Sequence, residues 1–277
     1  MKKKLFFTFI FCSFLIFSLA QQTICADGLF ATADAVPFLG IEEASKILKK
    51  AVCAIQIPGE PTKDGKNTWI LIGSGFLIKD EHGVTLAITC NHVVQIAIKL
   101  NQPIIHIGID TDKGYYRAPS IVAYTDPSLD IAILVPHHEK EQDGLKFQSL
   151  AFGKDLFDNG KAIVEGRGVI IPGYPLGLGI ENDENHPVIR MGLVAQYTGK
   201  EYFLLDGVAS HGNSGSPVFS LKTNENKLIG MIVSFEPDTI NLFDENQQLS
   251  MRLPYNSGLG RCVTMKAIQA AVKNAKY

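Results

Sequence analysis

Two successive series of short apolar runs constrain the fold of this 277-residue chain more than any other feature. Each run is rich in Val, Ile, Leu or Thr and ends at Gly, Asp, Asn or Pro, which is the pattern of strands joined by tight turns. The runs cover 52–57, 68–78, 84–89, 104–109, 121–124 and 131–135 in the first series, and 162–171, 188–195, 202–205, 216–221, 228–235 and 259–263 in the second. They predict an all-β chain with two six-stranded antiparallel β-barrels.

A helix is expected at each end of this β region. Residues 41–51 place their apolar side chains on one helical face, and residues 264–276 do the same behind Thr264, a favourable N-cap. The predicted organisation is a signal peptide over 1–20, an extension over 27–51 and one domain over 52–277. Within that domain we expect barrel 1 at about 52–138 and barrel 2 at about 150–263.

The segment from Gly212 to Pro217, Gly-Asn-Ser-Gly-Ser-Pro, suggests a nucleophilic serine. Glycine on both sides of Ser214 lets the backbone approach a carbonyl closely, so the amides of Gly212 and Ser214 are candidates for an oxyanion hole. The alternative is an ordinary turn, because Gly, Asn, Ser and Pro are common turn residues. A serine nucleophile also needs a base and an acid that orients the base.

His92 and Asp130 supply these two groups, since each lies next to an apolar run where a core favours an apolar residue. The order His92, Asp130, Ser214 excludes an α/β-hydrolase, which needs a histidine after the serine, because all seven histidines precede position 214. An order of the subtilisin kind would use Asp64 or Asp80, but both lie in polar turn segments.

With these motifs in hand, the chain resembles trypsin-like serine proteases of the chymotrypsin fold, of the bacterial HtrA-like and V8-like type. The resemblance covers about residues 50–275 and rests on four segments and one turn: 73–78, 89–94, 129–134, 212–218 and 172–177. It implies a catalytic triad of His92 and Asp130 from barrel 1 and Ser214 from barrel 2, in a cleft between the barrels. The PDZ domain that HtrA-type proteins carry is not expected here, because strands and the final helix take up the 63 residues from 215 to 277.

The resemblance also implies a substrate pocket and an activation mode. Val208 and Ala209 are expected at the pocket base and His211 at its rim, although His211 is equally well explained as a solvated turn residue. One wall is expected to contain Ile232, Val233 and Ser234. This set has no carboxylate, so an apolar or small residue is expected before the cleaved bond rather than Arg or Lys. Asn213 replaces the aspartate that receives a freed N-terminus in animal trypsins, so that activation is not expected.

The N-terminus predicts export. Lys2, Lys3 and Lys4 precede an apolar run from residue 5 to Ala20, with cleavage expected after Ala20 or as late as Ala26. An uncleaved signal anchor is the alternative. The mature chain is therefore expected in the periplasm or outside the cell.

Composition limits the ligands. A formal charge of −2 gives no reason to expect nucleic acid binding, and no membrane contact is expected after signal cleavage. No cofactor or metal is expected, because 137–139 and 181–186 are interpreted as solvated loops rather than ligand clusters. Cys53, Cys90 and Cys262 are expected as small buried apolar residues.

Protein or peptide substrates are the expected partners. The sequence thus predicts an exported serine endopeptidase that acts through an acyl-enzyme. A catalytically idle binding protein on the same scaffold is the alternative.

Overall fold

Two closed six-stranded β-barrels form the body of the chain, which confirms the predicted fold class. The computed structural model describes residues 45–102, 104–111, 114–137, 149–181, 184–207, 209–221, 226–243, 245 and 247–276, all within the compact unit Ile41–Tyr277. The predicted signal peptide and the start of the predicted first helix lie outside these residues.

Barrel 1 is made by the first series of apolar runs. Its strands are β1 (Val52–Pro58), β2 (Trp69–Lys79), β3 (Thr85–Thr89), β4 (Ile105–Thr111), β5 (Gly114–Asp126) and β6 (Ile131–Pro136). They pair in the order β1-β2-β3-β6-β5-β4, and antiparallel pairing of β1 with β4 closes the barrel. Its core contains fully buried side chains such as those of Ile55, Phe76, Ile88 and Ile133.

Barrel 2 is made by the second series of apolar runs. The second half of the chain contains β7 (Gly168–Gly173), β8 (Ile180–Glu181), β9 (Glu184–Asn185), β10 (Val188–Tyr197), β11 (Tyr202–Asp206), β12 (Pro217–Ser220), β13 (Lys227–Phe243) and β14 (Leu249–Thr264). The barrel order is β10-β11-β14-β13-β12-β7, while β8 and β9 form a separate two-stranded sheet. Closure pairs the first and last strand of each barrel, and the apolar side chains inside are buried.

Helices are few. Helical residues 45–48 continue into a 3-10 turn at Lys49–Ala51, and two further 3-10 turns lie at Lys154–Leu156 and Pro175–Gly177. The two longer helices are α1 (Asn91–Lys99) and α2 (Met265–Asn274). The predicted cap of α2 is confirmed, because the Ala267 amide donates to Thr264 Oγ1 at 3.2 Å. No helix in the described ranges is long and apolar enough to cross a membrane.

The structure adds one helix and moves the beginnings of two predicted strands. Helix α1 was not predicted, because its sequence was interpreted only as a histidine motif. β5 begins at Gly114, ahead of the predicted 121–124 run. β7 begins at Gly168 rather than 162, because Asp158 Oδ1 accepts from the amides of Lys161 and Ala162 and holds that stretch in a turn.

The largest correction concerns β13 and β14. The sequence around Glu236-Pro237-Asp238 is typical of a turn, yet β13 passes through it with an irregularity in register and pairs with β14 up to Phe243 and Leu249. We call the extension formed by residues 236–243 and 249–256 the ribbon.

Candidate active site

His92 and Asp130 are in direct contact. His92 is the second residue of α1, which begins where β3 ends, and its backbone amide donates to Asp130 Oδ1 at 2.8 Å. Its ring Nδ1 lies 2.6 Å from Asp130 Oδ2. Asp130 therefore holds both the backbone and the ring of His92. The other ring nitrogen, Nε2, is left for a different partner, and the side chain is 44% exposed.

The turn that carries Asp130 is itself tightly bonded. Asp130 has a left-handed φ of 55°, a conformation that aspartate tolerates better than most residues, and it directly precedes β6. Asp126 accepts from the amide and the hydroxyl of Ser128, and the hydroxyl bond is the main cause of a lowered pKa for the Asp126 carboxyl. Tyr202 of barrel 2 donates to the Ser128 carbonyl at 2.7 Å, so both barrels fix this turn.

Residues 210–216, which we call the Ser214 turn, require their glycines. Gly212 and Gly215 have φ values of +87° and +90°, in the region that favours glycine. A Cβ at Gly215 would lie 1.9 Å from the Ser74 carbonyl oxygen, and one at Gly212 would lie 2.2 Å from the Tyr174 carbonyl oxygen. The turn can therefore pack closely against the backbone of Ser74 and Tyr174 only because Gly212 and Gly215 have no side chains.

Three amides of the Ser214 turn donate hydrogen bonds within the protein. Asn213 donates to the Ser210 carbonyl at 3.0 Å, Gly215 to the Ile232 carbonyl at 2.9 Å and Ser216 to the Asn213 carbonyl at 2.8 Å. Among the described residues, the amides of Ser210, His211, Gly212 and Ser214 have no such partner. Two of these four, the amides of Gly212 and Ser214, are the pair that the sequence assigns to the oxyanion hole.

Ser74 of β2 joins the two barrels beneath the turn. Its amide donates to the Ser214 carbonyl at 2.8 Å, and its Oγ donates to the Gly212 carbonyl at 2.6 Å. The Tyr174 amide donates to the same Oγ at 3.0 Å. The sequence analysis did not identify Ser74 as a site residue. One sequence feature could have indicated it, because Ser74 lies between two glycines in an otherwise apolar run.

Gly73 brings the Ser214 turn close to α1. A Cβ at Gly73 would lie 2.7 Å from the Val93 side chain and 3.2 Å from the Ser214 carbonyl oxygen. Val93 follows His92 directly, so the predicted base and nucleophile belong to segments that meet at this glycine. The Ser214 hydroxyl and the His92 ring do not hydrogen-bond to each other here. Bonds of this kind are often long before a substrate is bound.

Buried polar atoms lie on the inner side of the turn. Asn213 is 1% exposed, and neither oxygen nor nitrogen of its amide has a partner within the described residues. The Ser216 hydroxyl is likewise buried without a partner. Unpaired buried groups cost stability, so they mark the turn as a place where packing is not optimised for stability alone.

Cys90 is the one residue that adds a metal-ligating atom beside the predicted triad in the described chain. Its Sγ and the ligand atoms of His92 and Asp130 lie within 4.8 Å of one another. Burial raises the pKa of the Cys90 thiol well above its ordinary value, and the thiol donates to the Ile232 carbonyl at 3.3 Å. The contacts of this cluster are accounted for by the hydrogen bond of the thiol to Ile232 and by the direct contact of His92 with Asp130.

Cys53 and Cys262 are also buried free thiols, as the sequence predicts, and burial raises the pKa of both. None of the three described cysteines therefore offers a thiolate.

The predicted pocket residues divide into buried and exposed groups. Ala209 and Ile232 are buried in the core of barrel 2, and Val233 is buried in a separate core cluster. His211 and Ser234 are exposed, and Val208 lies outside the described residues. Ile232 meets the Ser214 turn through its backbone.

Arg190 of β10 was not predicted to belong to this region. Its Nη1 donates to Ser210 Oγ at 3.1 Å, next to His211. An arginine on a barrel strand gives no sequence signal of this contact, because the two residues are brought together only by barrel closure.

A cavity of about 420 Å³ lies elsewhere, between the β2–β3 turn and α2. Its lining includes Asp80, Lys154 and Lys273 and none of the predicted site residues. The candidate site is thus built on surface turns rather than in that cavity.

Comparisons with known proteins identify the family and the fold. A family model described as "Trypsin-like peptidase domain" matches residues 73–231, which include His92, Asp130 and Ser214. The fold is similar to a serine endoprotease from Yersinia pestis, at 15% identity and a TM-score of 0.55, covering 84% of this chain and 65% of that one. It is also similar to the HtrA-type protease AlgW with a decapeptide, at 16% identity and a TM-score of 0.55, covering 84% and 67% respectively. No curated protein matches the chain.

Proposed function

Because the chain belongs to the trypsin-like peptidase domain family, we propose that it is a serine endopeptidase that hydrolyses peptide bonds in protein or peptide substrates. The observation that carries the proposal is that the amides of Gly212 and Ser214, on either side of the bonded Asn213 amide, have no hydrogen-bond partner among the described residues. Preorganised donors of this kind stabilise the charge that develops on a carbonyl oxygen.

In the proposed first half-reaction, Ser214 Oγ attacks the carbonyl carbon of the scissile bond. His92 Nε2 takes the hydroxyl proton, while the carbonyl π electrons move to oxygen between the Gly212 and Ser214 amides. The tetrahedral intermediate then collapses, the C–N bond breaks, and His92 gives its proton to the leaving amine. The product is an ester between Ser214 and the acyl part of the substrate.

Water completes the reaction. His92 deprotonates a water molecule that attacks the ester, and it returns the proton to Ser214 as the C–O bond breaks. Asp130 supports each proton transfer, because its contact at 2.6 Å with Nδ1 fixes the ring and favours the imidazolium.

A fluorophosphonate probe tests the proposal. We expect the folded chain to be labelled once, with Ser214→Ala abolishing labelling and Asp130→Asn slowing peptide hydrolysis by about 10⁴-fold. The control is Ser257→Ala, which alters an exposed serine and should leave labelling unchanged.

A folded chain that fails to react, or that reacts equally after Ser214→Ala, would establish the idle binding protein in place of the enzyme.

We further propose that the residue before the cleaved bond is apolar or small. The proposal is supported by the sequence, because the predicted pocket residues at 208, 209, 211 and 232–234 include no carboxylate. A peptide library that varies this residue is expected to give higher kcat/KM for Ala, Val or Leu than for Arg, Lys, Asp or Glu.

Export is also part of the proposal. It is supported by the three lysines and apolar run at residues 2–20. N-terminal sequencing of the protein from a fractionated bacterial host should give a start at residue 21 or 27 in the exported fraction. A start at Met1 in the membrane fraction would indicate an uncleaved anchor instead.

A further inference from the structure

Over residues 239–242 and 251–254 the ribbon has one apolar face and one polar face, while the exposed Phe243 and Leu249 pair at its tip beyond an irregularity in register. Residues directly opposite each other on antiparallel strands share a face, so the pairs Ile240–Leu253 and Leu242–Met251 lie side by side. The pairs Thr239–Pro254 and Asn241–Arg252 lie on the other face. Tyr255 extends the apolar face towards the barrel, where its hydroxyl donates to Asp238.

This apolar face is unpartnered in the described part of the chain. Its five large side chains, those of Ile240, Leu242, Met251, Leu253 and Tyr255, are each 42% to 52% exposed. Together they present a contiguous patch on the order of 400 Å², in the range where the largest patch on a monomer is often functional. An isolated two-stranded hairpin is only marginally stable in water, so exposing this face has a cost that burial against a partner would offset.

The ribbon is connected to the Ser214 turn by both of its strands. Upstream on β13, Ile232 accepts from the Gly215 amide at 2.9 Å and donates to the Ser216 carbonyl at 3.0 Å. At the ribbon end of β14, the Asn256 side chain donates to the Ala209 carbonyl. A chain bound on the ribbon therefore lies against the same element that positions the Ser214 turn.

One edge of β13 is free along the ribbon. Pairing of β12 with β13 ends at Pro217 and Met231, and no other described strand takes that edge beyond it. An extended peptide can add to such an edge, with backbone hydrogen bonds and alternate side chains against one face. Antiparallel addition to β13 makes the peptide run towards the Ser214 turn, so its residues on the ribbon precede the bond at Ser214.

The net charge of the ribbon and the area of its apolar face distinguish among the molecules that could bind it. Residues 236–256 contain four acidic residues and one arginine, a net charge of −3, so two copies of the ribbon repel each other and anionic lipid is repelled too. A stable dimer interface buries about 800 Å² per partner, roughly twice the patch on the ribbon. An extended peptide with apolar side chains needs neither a large area nor a compensating charge.

We propose that the ribbon is a substrate-binding surface for extended apolar polypeptide, which it engages on the N-terminal side of the cleaved bond. This inference rests on the proposed serine endopeptidase activity, but the binding step can be measured without it. Ile240 and Leu242 of β13 contact the apolar side chains of the bound segment, and Met251 and Leu253 continue the same face on β14.

Fluorescence anisotropy with the full-length Ser214→Ala protein tests the binding step. The probe is a fluorescein-labelled ten-residue peptide that alternates leucine and serine, and the reference probe has every leucine replaced by serine. We expect the leucine peptide to bind at least about tenfold more tightly than the reference, and the triple change Ile240→Ser, Leu242→Ser, Met251→Ser to remove that advantage. The control is Ile121→Ser, which removes an apolar side chain that is 66% exposed from β5 of barrel 1 and should leave the affinity unchanged.

Equal affinity of the triple variant and its parent for the leucine peptide would overturn the proposal. So would loss of self-association in the triple variant with peptide affinity unchanged, because that result assigns the face to a second copy.

Fluorophosphonate labelling separates these failures from failure of the enzyme proposal. With Ser214 intact, the triple variant is expected to label at the parent rate and to cleave a four-residue substrate normally, while it loses at least about tenfold in kcat/KM on a ten-residue apolar substrate. Ribbon-dependent peptide binding in a chain that never labels would support the binding surface and reject the chemistry. A loss of labelling in the triple variant would show that the ribbon supports the Ser214 turn rather than the substrate, and would overturn the proposal.

Discussion

The Ser214 turn is bonded to β13 and the ribbon is an extension of β13, but the two differ in burial and in their hydrogen-bond partners. The turn has Asn213, Gly215 and Ser216 buried, and it accepts hydrogen bonds from Ser74 of the other barrel. The ribbon is exposed on both faces and bonds mainly between its own two strands. Bond cleavage needs donors fixed to a fraction of an ångström, whereas recognition of variable peptides needs accessible surface.

The largest expected effect comes from comparing two single glycine substitutions, one in the Ser214 turn and one beside the ribbon. Gly215 and Gly258 both have φ near +90°, but a Cβ at Gly215 meets the Ser74 carbonyl oxygen at 1.9 Å and one at Gly258 meets nothing within 4 Å. We expect Gly215→Ala to lower the free energy of unfolding by about 4 kcal/mol and to abolish fluorophosphonate labelling. Gly258→Ala is expected to cost only the left-handed penalty of about 1 kcal/mol and to keep labelling.

Urea unfolding of both variants measures the difference. Equal destabilisation would mean that the turn tolerates a side chain and is not fixed by its contact with Ser74.

A pair of serine substitutions gives an intermediate effect. Ser74→Ala leaves the Gly212 carbonyl and the Tyr174 amide without a buried partner, so we expect about 2 kcal/mol of destabilisation and a slower labelling rate. Ser257→Ala removes an exposed hydroxyl that donates to the Glu236 carbonyl at 2.6 Å, and it is expected to change stability by less than about 0.5 kcal/mol. If labelling by Ser74→Ala matches that of Ser257→Ala, Ser74 has only a structural role.

The smallest expected effect concerns pH and the ribbon. The Tyr255 hydroxyl is the first cause of the lowered pKa of the Asp238 carboxyl. A lowered carboxyl pKa stabilises the folded ribbon above the ordinary value of 3.8, and this contribution is lost as pH falls through the lower folded value. Tyr255→Phe should therefore raise the Asp238 pKa towards its ordinary value, as measured by NMR titration of the carboxyl carbon.

Tyr202→Phe is the control, because Tyr202 bonds to Ser128 and not to the ribbon. A titration of Asp238 that does not respond to Tyr255→Phe would show that the two side chains are not joined in solution.

Much of the fold could be predicted because closed barrels require short strands whose buried residues are apolar. The runs around Phe76, Ile88 and Ile133 have this composition, and each lies in a barrel strand. The ribbon could not be predicted in the same way, since its polar and apolar residues include Pro237 and Asp238, which are typical of turns. Pairing with β14 overrides that local preference.

The site residues also divide into those that local sequence predicts and those whose contacts only the fold decides. His92, Asp130 and Ser214 are recognisable because a polar residue at the end of an apolar run, or between glycines, is unusual. Ser74 carries the same local signal, because it lies between Gly73 and Gly75, but its partner Gly212 is 138 residues away and cannot be read from the sequence. Arg190 carries no such signal, because only the fold brings it to Ser210. Helix α1 was missed because only its first residues carry the histidine motif.

The sequence by itself determined the barrel strands, the order His92, Asp130, Ser214 and the glycines at 212 and 215, because these depend on local composition and spacing. The tertiary structure alone decided that Asp130 holds both the amide and the ring of His92, that Ser74 supports the Ser214 turn across the barrels, and that an apolar ribbon extends from β13. These features depend on contacts between residues distant in the chain, and such contacts form only when the barrels close and dock.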